Sequence, residues 1–488
     1  MSVQDLDVDS DRPPRSRLRD AWQRWLEHPR LGLRVGLLAL LLSSPCLLFG
    51  FYLDEYTARF IYTDLPGAKE MYHSYSGGYG IATGDPADTL RQVERGWAPW
   101  WVNPQLLTAL MRPISEWTHH LDIALWPNSA ALMRLQSLAW LFALLIIATR
   151  TYRRVLGASV GGLAALLLAF DHTHGYSIGY IANRHALVSA TFALLCLDQH
   201  LRFRREQDLR AGLFAALAYT LALLSGESSL AIAAYLFAYE LLVEQGPRLQ
   251  RALRFAPYLL ITIVWRVAYT ALGFGARGSG VYIDPAREPL HFFRAFLERG
   301  PILFLGQYFF PPAELYAALK PEQARPLLIF ALLFFVGLSA AFIPLLKRDR
   351  IARFWAAGFL LSLVPASTTV PNNRQLLIAS IGAMALLAQR WRMPEPIAHR
   401  PLALRIPKLL LTSVFALHLF VSPLSLPWTT CMIAFTAPVH RGIVGGGDEV
   451  AGRDVVFVTA PDIFTAKFVQ LERRIDRKPL ARRWRALS

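Results

Sequence analysis

Two adjacent carboxylates, Asp54 and Glu55, follow directly on an apolar run that ends at Leu53. Acids at such a place most often mark the water-exposed end of a membrane helix, so whether they do chemistry depends on what shares their side of the membrane. Other polar groups near the ends of apolar runs are Asp171, His172 and His174; Asn183, Arg184 and His185; Glu227; and Asn372, Asn373 and Arg374. An arginine stays protonated and its planar fork bonds two oxygens at once, which makes Arg184 and Arg374 candidates to hold an anion. His172 and His174 are spaced as two zinc ligands can be, but no further ligands at suitable spacing accompany them.

The elements that must position these groups are membrane helices. Of 488 residues, 54% are apolar, 12% aromatic and only 18% charged, too apolar a balance for an ordinary soluble enzyme. The net charge of +16 comes from short arginine clusters between apolar runs rather than one basic face, which argues for membrane topology and against nucleic-acid binding. Three cysteines, Cys46, Cys196 and Cys431, cannot make a disulfide framework.

The run Leu31 to Leu53 follows about thirty polar residues and reads as an internal anchor rather than a cleaved signal. Further apolar runs centre near positions 139, 163, 188, 217, 235, 263, 336, 360, 382 and 417, giving about eleven spans of bilayer length. The stretch 291–312 is broken by Arg294, Glu298, Arg299 and paired prolines, and reads as interfacial or re-entrant. With it non-spanning, the arginine-rich segments 149–154, 202–210, 248–254, 347–353 and 390–405 all fall on the cytoplasmic side if the N-terminus is there.

The expected fold is an all-α polytopic membrane protein: a cytoplasmic tail (1–30), a transmembrane domain (31–427) and an outer C-terminal segment (428–488). The first outer loop, from Asp54 to about Asn128, holds an aromatic cluster in GWAPWWVNP (96–104) and LLTALMRPISEWTHHL, which reads as an amphipathic surface helix. In the last segment GIVGGGDEVAG (442–452) reads as a flexible loop without dinucleotide spacing, DVVFVTAPD (454–462) as a buried strand and FTAKFVQLERRID as an amphipathic helix. So short a segment either packs on the outer loops or opens a domain that continues beyond Ser488.

The order of LDEYTAR after the first span, RPISEW in the first outer loop, HGYSIGYIANRHALVSATFALL, SGESSLAIAAYLFAYELL and VPNNRQLLIASIGAMALL resembles the GT-C superfamily of membrane glycosyltransferases. The likeness is to the branch of the protein O-mannosyltransferases and their bacterial relatives, and covers most of positions 30–392. It implies transfer of a monosaccharide, with inversion, from a polyprenyl-phosphate donor to a protein or envelope-glycan acceptor at the periplasmic face of a bacterial inner membrane. It implies Asp54 as the catalytic carboxylate, with Glu55 orienting the acceptor or helping to hold a divalent metal. Arg184, Arg374 and then Arg112 are implied to bind the donor phosphate, and His174, Asn183, Glu227 and Asn373 the acceptor or sugar. The chain departs from the family where relatives often carry charged residues: Tyr176, Ala186 and Gly226 stand there instead. A lipid or solute transporter, or an inactive GT-C-like scaffold, would also gather charges on one face. Transporters usually show repeated halves, and no convincing repeat is found.

Overall fold

The computed structural model describes residues 14–63, 65, 68, 77–393, 405–436, 450–458 and 465–486. Its helices are α1 (Pro14–Glu27), α2 (Leu31–Ser43), α3 (Asp54–Ile61), α4 (Pro86–Glu94), α5 (Pro113–Leu125), α6 (Ala130–Phe170), α7 (Arg184–Glu206), α8 (Leu209–Leu223) and α9 (Ile232–Leu242). They continue with α10 (Arg248–Ala271), α11 (Pro289–Tyr308), α12 (Pro321–Arg348), α13 (Arg350–Ala366), α14 (Ala379–Arg392), α15 (Arg405–Ala416), α16 (Ser422–Cys431) and α17 (Thr465–Ile475). Among the described residues, five runs are long and apolar enough to cross a bilayer: Leu31–Leu48, Ala130–Phe170, Arg248–Ala271, Pro321–Arg348 and Ile406–Phe435. The pair His172–Gly179 and Ile181–Glu206, bent by 106°, makes a sixth if taken as one broken span.

The longest run is two arms rather than one rod. Gly157 sits at φ 78° inside α6, a left-handed conformation that glycine adopts without a side-chain clash. A Cβ on Gly161 would lie 2.7 Å from the backbone of Tyr152 and Arg153, so the chain doubles back across Gly157. The apolar runs centred near 139 and 163 are thus the arms of a hairpin. Close helix contact recurs at Gly36 of α2, whose Cβ would meet the Phe142 ring at 2.6 Å. Small residues admit such approach where lipid gives helices little hydrophobic drive to associate.

Arginines of the arginine-rich segments are tied to neighbouring helices. Arg154 pairs with Asp198 at 2.9 Å, Arg251 donates to the carbonyls of Glu240 and Glu244, and Arg153 donates to that of Leu26. Both flanks of α11 bond the same loop: Ile283 N–H donates to the Thr368 carbonyl (2.7 Å) and Ala313 N–H to Asn373 Oδ1 (3.0 Å). Between these flanks, Phe304 and Tyr308 meet Phe335 and Phe359.

The loop that follows the first apolar run is less helical than expected. Helix α5 starts only at Pro113, because Leu107–Ala109 forms β2 of a three-stranded antiparallel sheet with β1 (Gly80–Thr83) and β3 (Gly275–Arg277). Leu107 lies opposite Arg277, so pairing across a long sequence interval overrides the local helical pattern. The chain is nonetheless a predominantly helical polytopic membrane protein, as expected, with this small sheet set in the loop.

The C-terminal segment packs on this loop. Its β4 (Asp454–Phe457) runs parallel to β5 (Arg483–Ala486), a strand the hydrophobic pattern does not announce. Strand β4 is not buried as expected, since Val456 is 49% exposed and only one face is covered. Leu471 of α17 is fully buried against Phe51, Tyr56, Phe60 and Trp97. Gln470 Nε2 donates to the Gly96 carbonyl at 3.0 Å, and Arg485 to that of Val93 at 3.2 Å. The loop reading of 442–452 falls largely outside the described residues.

Gly96 is the clamp of this contact. It holds φ 69°, and a Cβ there would lie 2.5 Å from the Trp484 carbonyl oxygen. Gly96→Ala should weaken docking of the segment by about 1–2 kcal/mol. Hydrogen exchange across 465–486 should then speed up, while exchange at parent rates would show that the clamp is slack.

Candidate functional site

The adjacent acids face different surroundings. Glu55 is 1% exposed and fully engaged: Arg134 Nη2 donates to Oε1 (3.1 Å) and Oε2 (2.8 Å), Ile181 N–H to Oε1 (2.9 Å) and Tyr52 N–H to Oε2 (3.2 Å). Burial pushes this carboxyl up to about 7, against the Arg134 charge and the two backbone donors. The expectation that Glu55 orients an acceptor or holds a metal is corrected: both oxygens already carry two partners, leaving no room for a cation. Among the described residues no group of three His, Cys, Asp or Glu could hold a metal ion, so no step is routed through one.

Asp54, the first residue of α3, is half-buried and turned the other way. The preceding Leu53 has φ 51° and ψ −124°, a conformation disfavoured for a residue with a branched side chain. Such strain persists only where surrounding contacts impose it, and here the Glu55 anchor and Asp54's own bonds do so. Tyr180 hydroxyl donates to Asp54 Oδ2 at 3.0 Å and accepts from Asp54 N–H at 3.0 Å. The Tyr180 ring stacks on Tyr52 and meets Tyr176 edge-on, with centroids 5.8 and 5.2 Å apart.

Arg374 stands over the Tyr176 ring, 5.3 Å from its centroid, and its charge acts with Asp54, Tyr180 and Tyr282. Among the described residues it makes no ion pair. Tyr282 also lies within electrostatic reach of Arg112, whose Nε donates to Glu227 Oε2 at 2.7 Å. His185 lies within reach of both arginines. It meets the ring of Tyr79, whose hydroxyl bonds His119 Nε2 at 2.9 Å. Burial and the Arg184 charge keep His119 well below the usual histidine range, hence neutral. Asp54, Tyr176, His185, Arg112, Glu227, Tyr282 and Arg374 are all partly exposed. They form one accessible band containing two carboxylates and two guanidinium groups, one of each joined as the Arg112–Glu227 pair.

Besides Glu55, four expected site residues lie outside this band. Arg184 is fully buried and its guanidinium is consumed: Nε donates to Ser137 (3.0 Å), Nη2 to the Met133 carbonyl (2.6 Å), and Nη1 faces Asp122, Gln136 and Thr118. It ties α5 to α6 and α7, and being fully buried and paired with Asp122 it does not present its guanidinium to a phosphate, which corrects its expected role. His174 bonds Ser380 (2.9 Å) inside a closed polar cluster with Asp171. Asn183 bonds Ser177, and Asn373 accepts the Ala313 N–H. These three are buried and hold backbone segments together. Glu227 remains at the band, as the partner of Arg112.

Reading the sequence alone missed Arg134, Asp122, Tyr180 and Tyr282. Arg134 had a signal, since an arginine inside an apolar run needs a buried partner. The tyrosines had none, because their roles come from contacts made only in the fold.

No protein-family model and no curated protein matches the sequence. Among solved structures the chain is similar to ArnT from Cupriavidus metallidurans bound to undecaprenyl phosphate, at 14% identity over 92% of this chain and 84% of that one, TM-score 0.44. It is also similar to the oligosaccharyltransferase AglB from Archaeoglobus fulgidus in complex with an inhibitory peptide and a dolichol-phosphate, at 13% identity over 82% of this chain, TM-score 0.41. An oligosaccharyltransferase of the same archaeon tethered to an acceptor peptide matches at 13% identity and TM-score 0.39. The chain spans 56% and 55% of the length of these two. At TM-scores below 0.5 these likenesses carry no functional weight, and the reading that follows rests on the chain's own residues.

Proposed function

We propose that this protein is a GT-C-type membrane glycosyltransferase that moves a monosaccharide from a polyprenyl-phosphate donor to an acceptor, with inversion. The observation that carries the reading is the band in which Asp54, bonded by Tyr180, lies within electrostatic reach of Arg374, an arginine that makes no ion pair among the described residues. Inverting transfer needs a carboxylate to take the acceptor hydroxyl's proton while the phosphate leaves from the opposite face of the sugar. Asp54 is the base, and its proton arrives as the new glycosidic bond forms. The phosphate keeps the electron pair of the broken bond and needs fixed positive charge, which Arg374 supplies, with Arg112 behind it. The topology that goes with this is eleven spans across residues 31–427 in a bacterial inner membrane, N-terminus cytoplasmic, with the band and residues 428–488 periplasmic.

Arg374 gives the test of donor binding. Arg374→Ala should raise the KM for a polyprenyl-phosphate sugar roughly 10- to 100-fold, the worth of a charge-assisted hydrogen bond, and Arg374→Lys should recover only part. Parent KM in Arg374→Ala would remove the phosphate from this place.

A further inference from the structure

Helix α1 takes no part in the scheme above. Its sequence, PRSRLRDAWQRWLE, is polar on average, yet winding it at about 100° per residue sorts the side chains into faces. Leu18, Ala21, Trp22, Trp25 and Leu26 fall on one side, and Asp20, Gln23 and Glu27 on the opposite one. Arg17 and Arg24 border the apolar stripe along one edge, Arg19 along the other. An apolar stripe edged by arginines is the pattern of a helix lying in a membrane interface.

Only the later half of the stripe has a partner in the fold. Leu26 is fully buried, its carbonyl accepts from Arg153 Nη2 at 2.7 Å, and a Cβ on Gly162 would lie 2.4 Å from that oxygen. Trp25 packs against the same core. One turn earlier Trp22 stacks flat on Trp25, with ring centroids 5.7 Å apart, and is 39% exposed; Leu18, a further turn back, is 73% exposed. The stripe thus leaves the protein with its apolar face uncovered.

The element that follows indicates what covers it. Only residues 28–30 separate α1 from α2, and Leu31 N–H donates to the His28 carbonyl at 3.0 Å, so α1 stays at the mouth of the first span. Leu33, Leu37 and Leu41 of that span recur at every fourth position and are exposed, the side it turns to lipid. The surface that continues the uncovered stripe is therefore lipid. Arginines at its borders can reach headgroups while their stems lie along apolar surface, and their charge favours anionic ones.

We propose that α1 is an interfacial helix that docks on anionic phospholipid headgroups of the leaflet where the first span begins, with Leu18 and Trp22 at the acyl boundary. The roles assigned to Asp54 and Arg374 have no part in this.

The test uses the full-length protein carrying Leu18→Cys or, on the polar face, Gln23→Cys, each labelled with an environment-sensitive fluorophore. The native cysteines are all buried, and labelling of the parent measures their background. Each protein is reconstituted in nanodiscs of phosphatidylcholine, alone or mixed with phosphatidylglycerol, with and without a nitroxide near the headgroup. In the anionic discs the label at 18 should emit at shorter wavelength and be quenched by the nitroxide about 2- to 5-fold more than the label at 23. Phosphatidylcholine alone, or high salt, should shrink that contrast. Equal quenching at the two positions overturns the docking, and a contrast indifferent to lipid charge and salt overturns the preference for anionic lipid. Short-wavelength emission at 18 without quenching would mean that protein, a second copy included, covers the stripe, and overturns the proposal too. In the Leu18→Cys background, Arg17→Gln/Arg19→Gln/Arg24→Gln should lower the docked-to-free ratio in anionic discs about 10- to 100-fold, as expected for three cations near a charged surface. Unchanged quenching there would take the arginines out of the contact.

Discussion

Replacing Asp54 by asparagine is expected to cut sugar transfer roughly 100- to 10,000-fold, the range for a lost general base, with donor binding close to that of the parent. The change is a clean one. The asparagine side chain would still present an oxygen to the Tyr180 hydroxyl that now donates to Asp54 at 3.0 Å, and the backbone N–H would still donate back. Only the capacity to accept a proton is lost. Transfer from a polyprenyl-phosphate sugar by purified protein gives the rate, and saturation with donor separates turnover from KM. Parent turnover in Asp54→Asn would make Asp54 the solvated end of a membrane helix. A raised KM with unchanged turnover would place it in donor binding instead.

What the sequence disclosed about this site was the neighbourhood rather than the roles. Apolar run length and arginine clusters are local features, so they place Asp54 and Arg374 on one face without any knowledge of packing. They cannot say which of two adjacent acids faces inward. Neighbours on a helix differ by about 100° in direction, and the choice here is made by the unusual backbone at Leu53 and by Arg134, distant in sequence. Arg184 shows the same limit from the other side. Its type and position suggest an anion site, yet its anion is Asp122 of the chain itself. The outer sheet was equally hidden, since strands of three and four residues carry too short a pattern and β3 comes from a distant loop.

The other large effect is expected at Arg134, where the consequence is structural. Arg134 is fully buried, and besides Glu55 it donates to the carbonyls of Gly179 (2.8 Å), Phe49 (2.6 Å) and Gly50 (3.0 Å). One guanidinium thus ties the end of the first span, the start of α3 and the bend before α7. Arg134→Met fills most of the space but removes the guanidinium donor from the carbonyls of Phe49 and Gly50 and the counter-charge from Glu55, while the Tyr52 hydroxyl still donates to the Gly179 carbonyl at 2.9 Å. Breaking a buried ion pair from one side costs about 3–5 kcal/mol. The lower end is expected here, because burial already pushes Glu55 up to about 7 and the acid can relax by taking a proton. Thermal unfolding in detergent should therefore occur well below the parent's temperature, and transfer should fall as well, since α3 no longer holds Asp54 against Tyr180. The double variant Arg134→Met/Glu55→Gln should be more stable than Arg134→Met alone. Glutamine has no charge to strand, and its one oxygen can accept either the Ile181 or the Tyr52 N–H, which bond different oxygens of Glu55, so the two changes should not add. Asp54→Asn, by contrast, should unfold at the parent's temperature while losing transfer, which separates the group that reacts from the group that holds it in place. If Arg134→Met melts with the parent, the Glu55–Arg134 pair does not fix the start of α3, and the orientation of Asp54 must be held by Tyr180 alone.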